Sequence, residues 1–507
     1  MTQKENIAMK RTLFTLVLLW LTTMAAVGQV GDLPRSTPAA QGIEPQALAR
    51  FIEALMAVPE TDIHHVMVAR HGHVVAEMHP APFRAQDGHT LYSASKTFAS
   101  MAVGIAIDEN RLRLTDRVAT FFPEQLPDTI TARLAQMTVA DLLTMRSGVK
   151  PDWTMRNNES DWVRSWLAKP VDDEPGTRFQ YDSMCTFMLS AIVQRVTGRT
   201  MLDYLNEYLF GPMHITQAGW EQSPDGINTG GWGLHLQAES QLKLGLLLLN
   251  GGKWQGRQLV PAEWVAEAIT PCADLHPGET PTEGNQGYGY QIWASKWPGS
   301  YRADGAMGQY IVCVPSADLV VVINQASAHG HDVLGCIWNH LMPGVSNGEP
   351  LNATARQQRQ LERLCATAEL PTRVKHGKKL PFTGEVTLGD NRLDIKSILI
   401  DGSTISFTYT DGRTEPMTLG REQWAYTRLQ GNPPYSIKAL NRFGGLHGPF
   451  HVATRCGWSA DGVWTVTLRY VDWINGITLA FDTAAGTITI NDNCDRTHPQ
   501  TVRYEFK

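Results

Sequence analysis

Residues 91–98 read LYSASKTF, with a lysine three positions after a serine and apolar Leu91, Phe98 and Met101 around the pair. The run continues as ASKTFASMAVGIAIDENRL over 94–112, a pattern that predicts a helix carrying Ser93 and Lys96 near its start. Three-residue spacing places both side chains on one face, with roughly 5–6 Å between Cβ atoms. A serine hydroxyl is a weak nucleophile until a neighbour takes its proton. A lysine can do so only if its pKa falls from about 10.4, through burial or nearby positive charge. The helix start adds a local positive field beside Ser93. Ser95 is too close in sequence to share that face with Lys96. Taken alone, the S-x-x-K spacing is a weak signal that occurs by chance in many chains, and an ordinary amphipathic helix explains it.

Working outward, PQALARFIEALMAV (45–58) has helical spacing, and HHVMVARHGHVVAEMH (64–79) reads as a hairpin turning at Gly72. TVADLLTMRSG (138–148) predicts a helix capped by Thr138 and stopped at Gly148. Residues 184–209, 238–250 and 261–269 favour helix. GYGYQIW (287–293) alternates like a strand, and QYIVCVPSADLVVVINQ (309–325) gives two strands around a turn, followed by a helix in DVLGCIWNHLM. Strands at both ends with helices between them predict an α+β domain: an antiparallel sheet flanked by helices, with a helical insertion. Beyond 380, short period-2 runs such as TISFTYT and WTVTLRYVDW predict a C-terminal all-β domain. The expected division is a signal peptide at 1–28, a loose leader at 29–45, the α+β domain at 46–345, a linker at 346–375 and the β domain at 376–507.

Two further stretches carry chemistry. In PGTRFQYDSMCTFMLSAIV (175–193), Tyr181 stands between a glycine-containing turn and an apolar helix, where a phenol can relay a proton. Ser183 is placed to donate a hydrogen bond to substrate or to Lys96. In YRADGAMGQYIVCV (301–314), Gly305 and Gly308 precede a strand and permit close approach of a substrate backbone. An amide on that strand and the amide of Ser93 would together hold an oxyanion. The plain alternatives are an aromatic residue at a helix start and a glycine-rich hairpin.

Composition removes several classes. The formal charge is −6, from 50 acidic and 44 basic residues without a long basic run, which gives nucleic acid no footprint. After Lys4, Lys10 and Arg11 comes LFTLVLLWLTTMAAV, shorter than the roughly 20 residues of a membrane span. Ala26 and Gly28 precede a cut before Gln29, the layout of a secretory signal. The expectation is a secreted or periplasmic protein without stable membrane insertion after cleavage. Seven widely spaced cysteines leave at least one unpaired, with Cys456 and Cys494 able to pair. HGHD at 329–332 lacks a third ligand, so no metal and no cofactor is expected.

Together the three motifs resemble the serine beta-lactamase and penicillin-binding-protein-like hydrolases, in the class C beta-lactamase-related branch. Ser93-Ala94-Ser95-Lys96 matches the first motif, with Thr97-Phe98 following as that branch often has. Tyr181-Asp182-Ser183 matches the second, with serine in place of the usual asparagine, and Ala303-Asp304-Gly305 aligns with the third, usually Lys-Thr-Gly or His-x-Gly. DLLTMRSG, PGTRFQY and GGWGLHLQAESQLKLGLLLLNGG are also family-like, and the pattern is most similar to 6-aminohexanoate-dimer hydrolase-like and esterase-like members. The resemblance implies that Ser93 is acylated, Lys96 activates it and Tyr181 shuttles protons. It also implies an oxyanion hole from the amides of Ser93 and Gln309 or a close neighbour, and substrate contacts from Ser183, Ala303, Asp304 and Gly305. Ala303 cannot seat a substrate carboxylate as the family's basic residue does, and Arg302 points to the opposite face of the strand. That favours a small-molecule or short-peptide substrate with a neutral acyl side, cleaved at an amide or ester, over a beta-lactam or D,D-peptide. The reading from another class is a catalytically silent protein that binds cell-wall peptide.

Overall fold

The computed structural model describes residues 33–272, 282–327, 329–372, 374, 379–421, 423–434 and 440–507; the expected signal peptide lies outside them. Six strands form the first sheet: β1 (Thr61–Arg70), β2 (His73–Met78), β3 (Trp293–Ala294), β4 (Tyr301–Gly305), β5 (Gln309–Val314) and β6 (Leu319–Ser327). They lie in the order β2-β1-β6-β5-β4-β3, and the pairings run antiparallel, with Thr61 opposite Ser327 and Arg70 opposite Leu319. The hairpin and the 309–325 strands form as expected. The apolar alternation sorts them to two faces. Ala303, Ile311, Cys313, Val320 and Val322 pack with the helical side. Tyr310, Val312, Val314, Val321 and Ile323 pack beneath α1 (Pro45–Met56).

On the helical side lie α2 (Ser95–Asp108), α3 (Ser183–Thr197) and α4 (Ala238–Leu249). Helix α4 rides directly on the sheet: a Cβ at Gly245 would come within 2.3 Å of Val320 Cγ1. Thr138 caps its helix through a capping box with Asp141. That helix ends at Leu143, short of Gly148, because Met145 already takes a left-handed φ of 56°.

GYGYQIW is not the expected strand. Gln291 has φ 64°, and its buried amide donates to Leu143 O at 2.7 Å and accepts from Thr186 Oγ1 at 2.5 Å. Tertiary hydrogen bonds thus override the alternation, leaving only Trp293–Ala294 in the sheet. From Leu33 onward the leader is fastened: Leu33 N donates to Glu239 Oε1 at 2.6 Å, and Arg35 bridges Glu239 and Glu77. The stretch expected as a linker contains α5 (Ala355–Ala366), whose Leu361 packs with the core beneath α1.

The C-terminal domain is a ten-stranded antiparallel sheet running from Gly384–Leu388 to Asp495–Phe506. Its two ends approach each other, with Thr418 N donating to Thr427 Oγ1 at 2.9 Å and Cys456 N to Gly420 O at 2.7 Å. Its core, including Trp464, Trp473 and Phe481, also takes in Tyr92 and Ala326 of the first domain. Asp62 and Arg469 form an ion pair of 3.2 Å across the junction, with side chains 6 % and 9 % exposed. Leu440, Gly444 and Asn441 add hydrogen bonds to Arg156, Gln222 and Ser223.

Candidate active site

Ser93 lies in a 3-10 turn, Tyr92–Ala94, that leads directly into α2. Tyr92 adopts φ 44°, a left-handed conformation that an aromatic residue rarely holds unless its surroundings impose it. Here they do. Ser95 Oγ donates to Tyr92 O at 2.6 Å and accepts from Leu234 N at 3.1 Å, while the Tyr92 ring is buried in the cluster shared with the β domain. Ser95, the other hydroxyl of the motif, therefore braces the turn and leaves Ser93 half-buried at its apex.

Lys96 is 1 % exposed. Its Nζ lies 2.9 Å from Ser93 Oγ, 2.7 Å from Ser183 Oγ and 2.7 Å from Gly231 O. Burial lowers its pKa to about 7, helped by the Arg156 cation and opposed by Asp182, Cys185 and Asp304. An ammonium donates along all three contacts. The neutral amine has a lone pair to spare, and along the Ser93 contact it can accept the hydroxyl proton.

Tyr181 stands beside Lys96. Its ring centroid lies 5.4 Å from that of Trp293, and burial raises its pKa against the opposing pull of Ser93 and Trp293, so it remains a phenol at neutral pH. Lys96 Nζ sits 4.8 Å from the centroid of its ring. Ser183 begins α3, and Asp182 caps that helix by accepting from Met184 N at 2.9 Å. Sequence reasoning missed Gly231 and Trp293. The Gly230-Gly231 pair was the available signal, because a Cβ at Gly231 would lie 2.5 Å from Ser183 O.

The third motif borders the same turn. A Cβ at Gly305 would meet Leu91 O at 2.2 Å and Ala94 N at 3.2 Å. Ala303 is buried on the helical side. Arg302 is engaged elsewhere, bonded to Asp304 at 2.8 Å and Glu283 at 3.3 Å. Burial pushes the Asp304 carboxyl up, but Arg302 and His331 overcome this and hold it below its ordinary value. Gln309 pairs with Gly305 across the ladder, and its side chain donates to Gln325 O at 2.7 Å.

Other sequence candidates stay outside this constellation. His331 bonds Asp304 and His329 pairs with Glu60. His64 and His65 are buried and bonded to His89 and His79. No group of three metal-ligating side chains occurs among the described residues. Cys456 forms no disulfide with Cys494, and Cys185, Cys272, Cys313, Cys336 and Cys365 are likewise free thiols.

Comparison with known proteins gives the same frame. A 6-aminohexanoate-dimer hydrolase of Paenarthrobacter ureafaciens is 27 % identical over 308 residues, covering 57 % of this chain and 79 % of that protein. Protein flp of Staphylococcus aureus strain COL is 26 % identical over 142 residues, 27 % of this chain and 28 % of flp. A solved Bacteroides dorei structure, provisionally described as a beta-lactamase, superposes with a TM-score of 0.50 at 17 % identity, over 59 % of this chain and 99 % of its own. The beta-lactamase family model matches residues 48–337, a span that takes in the Ser93 turn, the start of α3 and β4. The chain belongs to the beta-lactamase family.

Proposed function

We propose that the protein is a serine hydrolase that cleaves an amide or ester bond of a small molecule or short peptide through an acyl-enzyme on Ser93. The observation that carries this is the contact between Ser93 Oγ and a buried Lys96 whose pKa is about 7. Neutral Lys96 accepts the proton as Ser93 Oγ bonds to the substrate carbonyl carbon. The backbone amide of Ser93, with that of Gln309 or a neighbour beside Gly305, is the proposed oxyanion hole. Tyr181 is the proposed donor to the leaving amine or alkoxide. Water then enters, gives up a proton along the same route and releases the acyl group. Ser183, Asp304 and Gly305 are proposed to border the substrate.

Arg302 is held by Glu283 and Asp304, and Ala303 carries no charge. This supports a neutral acyl side rather than a beta-lactam or D,D-peptide carboxylate. The name of the Paenarthrobacter relative, a 6-aminohexanoate-dimer hydrolase, is compatible with that substrate class. Export to the periplasm or medium belongs to the same proposal; among the described residues no helix is long and apolar enough to cross a membrane.

The test is incubation with a fluorophosphonate probe and short p-nitrophenyl esters, followed by intact and peptide mass analysis. An adduct on Ser93 that disappears in Ser93→Ala is expected. Folded protein that takes up no probe would discard the hydrolase reading in favour of peptide binding.

A further inference from the structure

Lys96 has two holders besides the nucleophile, Ser183 Oγ and Gly231 O, and a buried residue of formal charge stands beside each. Asp182 precedes Ser183. It is 2 % exposed, its Oδ1 accepts from Met184 N at 2.9 Å, and its Oδ2 faces the Trp166 indole at 3.5 Å. This fixes the first turn of α3 and therefore the position of the Ser183 hydroxyl. Trp232 follows Gly231, and the Arg156 guanidinium lies 4.8 Å from its ring centroid and 4.2 Å from that of Trp153. Arg156 is 4 % exposed; its Nε donates to Trp153 O at 3.2 Å, and its own carbonyl accepts from Leu440 N of the β domain at 2.7 Å. The strip that presents the Gly231 carbonyl is thus backed by a cation packed against two indoles that meet edge-on, their centroids 6.4 Å apart.

We propose that Asp182 and Arg156 are opposed positioning residues of this site: Asp182 braces Ser183, Arg156 braces Gly231, and their opposite charges set how readily Lys96 takes the proton of Ser93. The wording in terms of Ser93 rests on the acyl-enzyme reading above. The other groups around Lys96 leave these two as the adjustable charges. Cys185, on α3, is pushed well above the ordinary thiol range by burial and stays neutral. Tyr181 is half-buried and stays a phenol, and the Asp304 carboxylate on β4 is engaged by Arg302 and His331. Asp182 favours the ammonium form of Lys96, whereas Arg156 disfavours it.

The test uses the full chain with Asp182→Asn, which retains a good helix cap, Arg156→Met, Arg156→Lys and the double variant Asp182→Asn/Arg156→Met. One readout is the pH dependence of the second-order rate of Ser93 phosphonylation. A second is the pH dependence of unfolding stability relative to a Lys96→Met partner in each background, which reports Lys96 titration without catalysis. Asp182→Asn is expected to move the midpoint down by roughly half a pH unit or more, and Arg156→Met to move it up by a similar amount. Arg156→Lys restores the wild-type midpoint, and the double variant falls close to it. Shifts of the same sign in both single variants, or none in either, overturn the inference. If wild-type protein is not phosphonylated, the hydrolase reading fails while the stability titration still decides the charge effect. If Arg156→Met does not fold, the sign of the shift in Asp182→Asn decides.

Discussion

At the scale of single residues, Lys96 joins two consequences that are usually measured apart. Its acid form predominates below about pH 7, so kcat/KM is expected to fall below that value as the base is lost. Replacing it with methionine should lower the rate by about 10²–10⁴-fold. The same depressed pKa leaves a trace in stability. Between about 7 and the ordinary lysine value near 10.5 the unfolded chain holds a proton that the folded protein lacks. Stability should therefore rise with pH through that window, and Lys96→Met should lack this slope. Parallel denaturant titrations at pH 7 and 10 would check it; identical slopes in the two proteins would contradict the assignment.

Elements position these residues through contacts that leave no room for a methyl group. Gly305 on β4 and Gly245 on α4 make a useful pair. In Gly305→Ala the new Cβ meets Leu91 O, so the strand must part from the nucleophile turn, and activity should fall by about a hundredfold with the fold retained. In Gly245→Ala the Cβ meets Val320 in the sheet. This should cost about 1–3 kcal/mol of stability, offset by up to about 1 kcal/mol of helix propensity, with activity per folded molecule unchanged. Esterase assays beside melting curves separate the two outcomes.

The same scale shows what the sequence could disclose. The hairpin at Gly72 and the Thr138 cap are local events, and their residues announce them. Ser93, Lys96 and Tyr181 are legible because their proposed roles rest on side chains. The Gly231 carbonyl is not, since a backbone acceptor leaves no letter of its own. GYGYQIW misleads because the left-handed Gln291 is held by Leu143 and Thr186, residues distant in the chain. The charged run at 355–366 conceals a helix because Leu361 is its only buried residue.

On the scale of the whole molecule, the two domains share interior rather than merely touching. Tyr92 and Ala326 lie in the β-domain core, and the Asp62–Arg469 pair is withdrawn from water between the domains. Arg469→Met removes a buried cation from beside the Asp62 carboxylate and should cost about 3–5 kcal/mol. Asp62→Leu combined with Arg469→Met should recover much of that loss, because removing both charges also removes the desolvation cost. Thermal melts of the single and double variants check this. A chain cut after residue 375 is expected to lose activity and solubility together, as it exposes the Tyr92 ring and the interdomain face.

The left-handed Tyr92 also bears on when the candidate site takes its final form. A ribosome makes the nucleophile turn early and the β-domain core that encloses the Tyr92 ring hundreds of residues later. Until those strands emerge and close, nothing on their side holds the turn in its costly conformation. On the proposed reading, the nascent chain thus carries Ser93 in an unfinished turn through synthesis, and hydrolytic competence is expected as a late step in the birth of the protein.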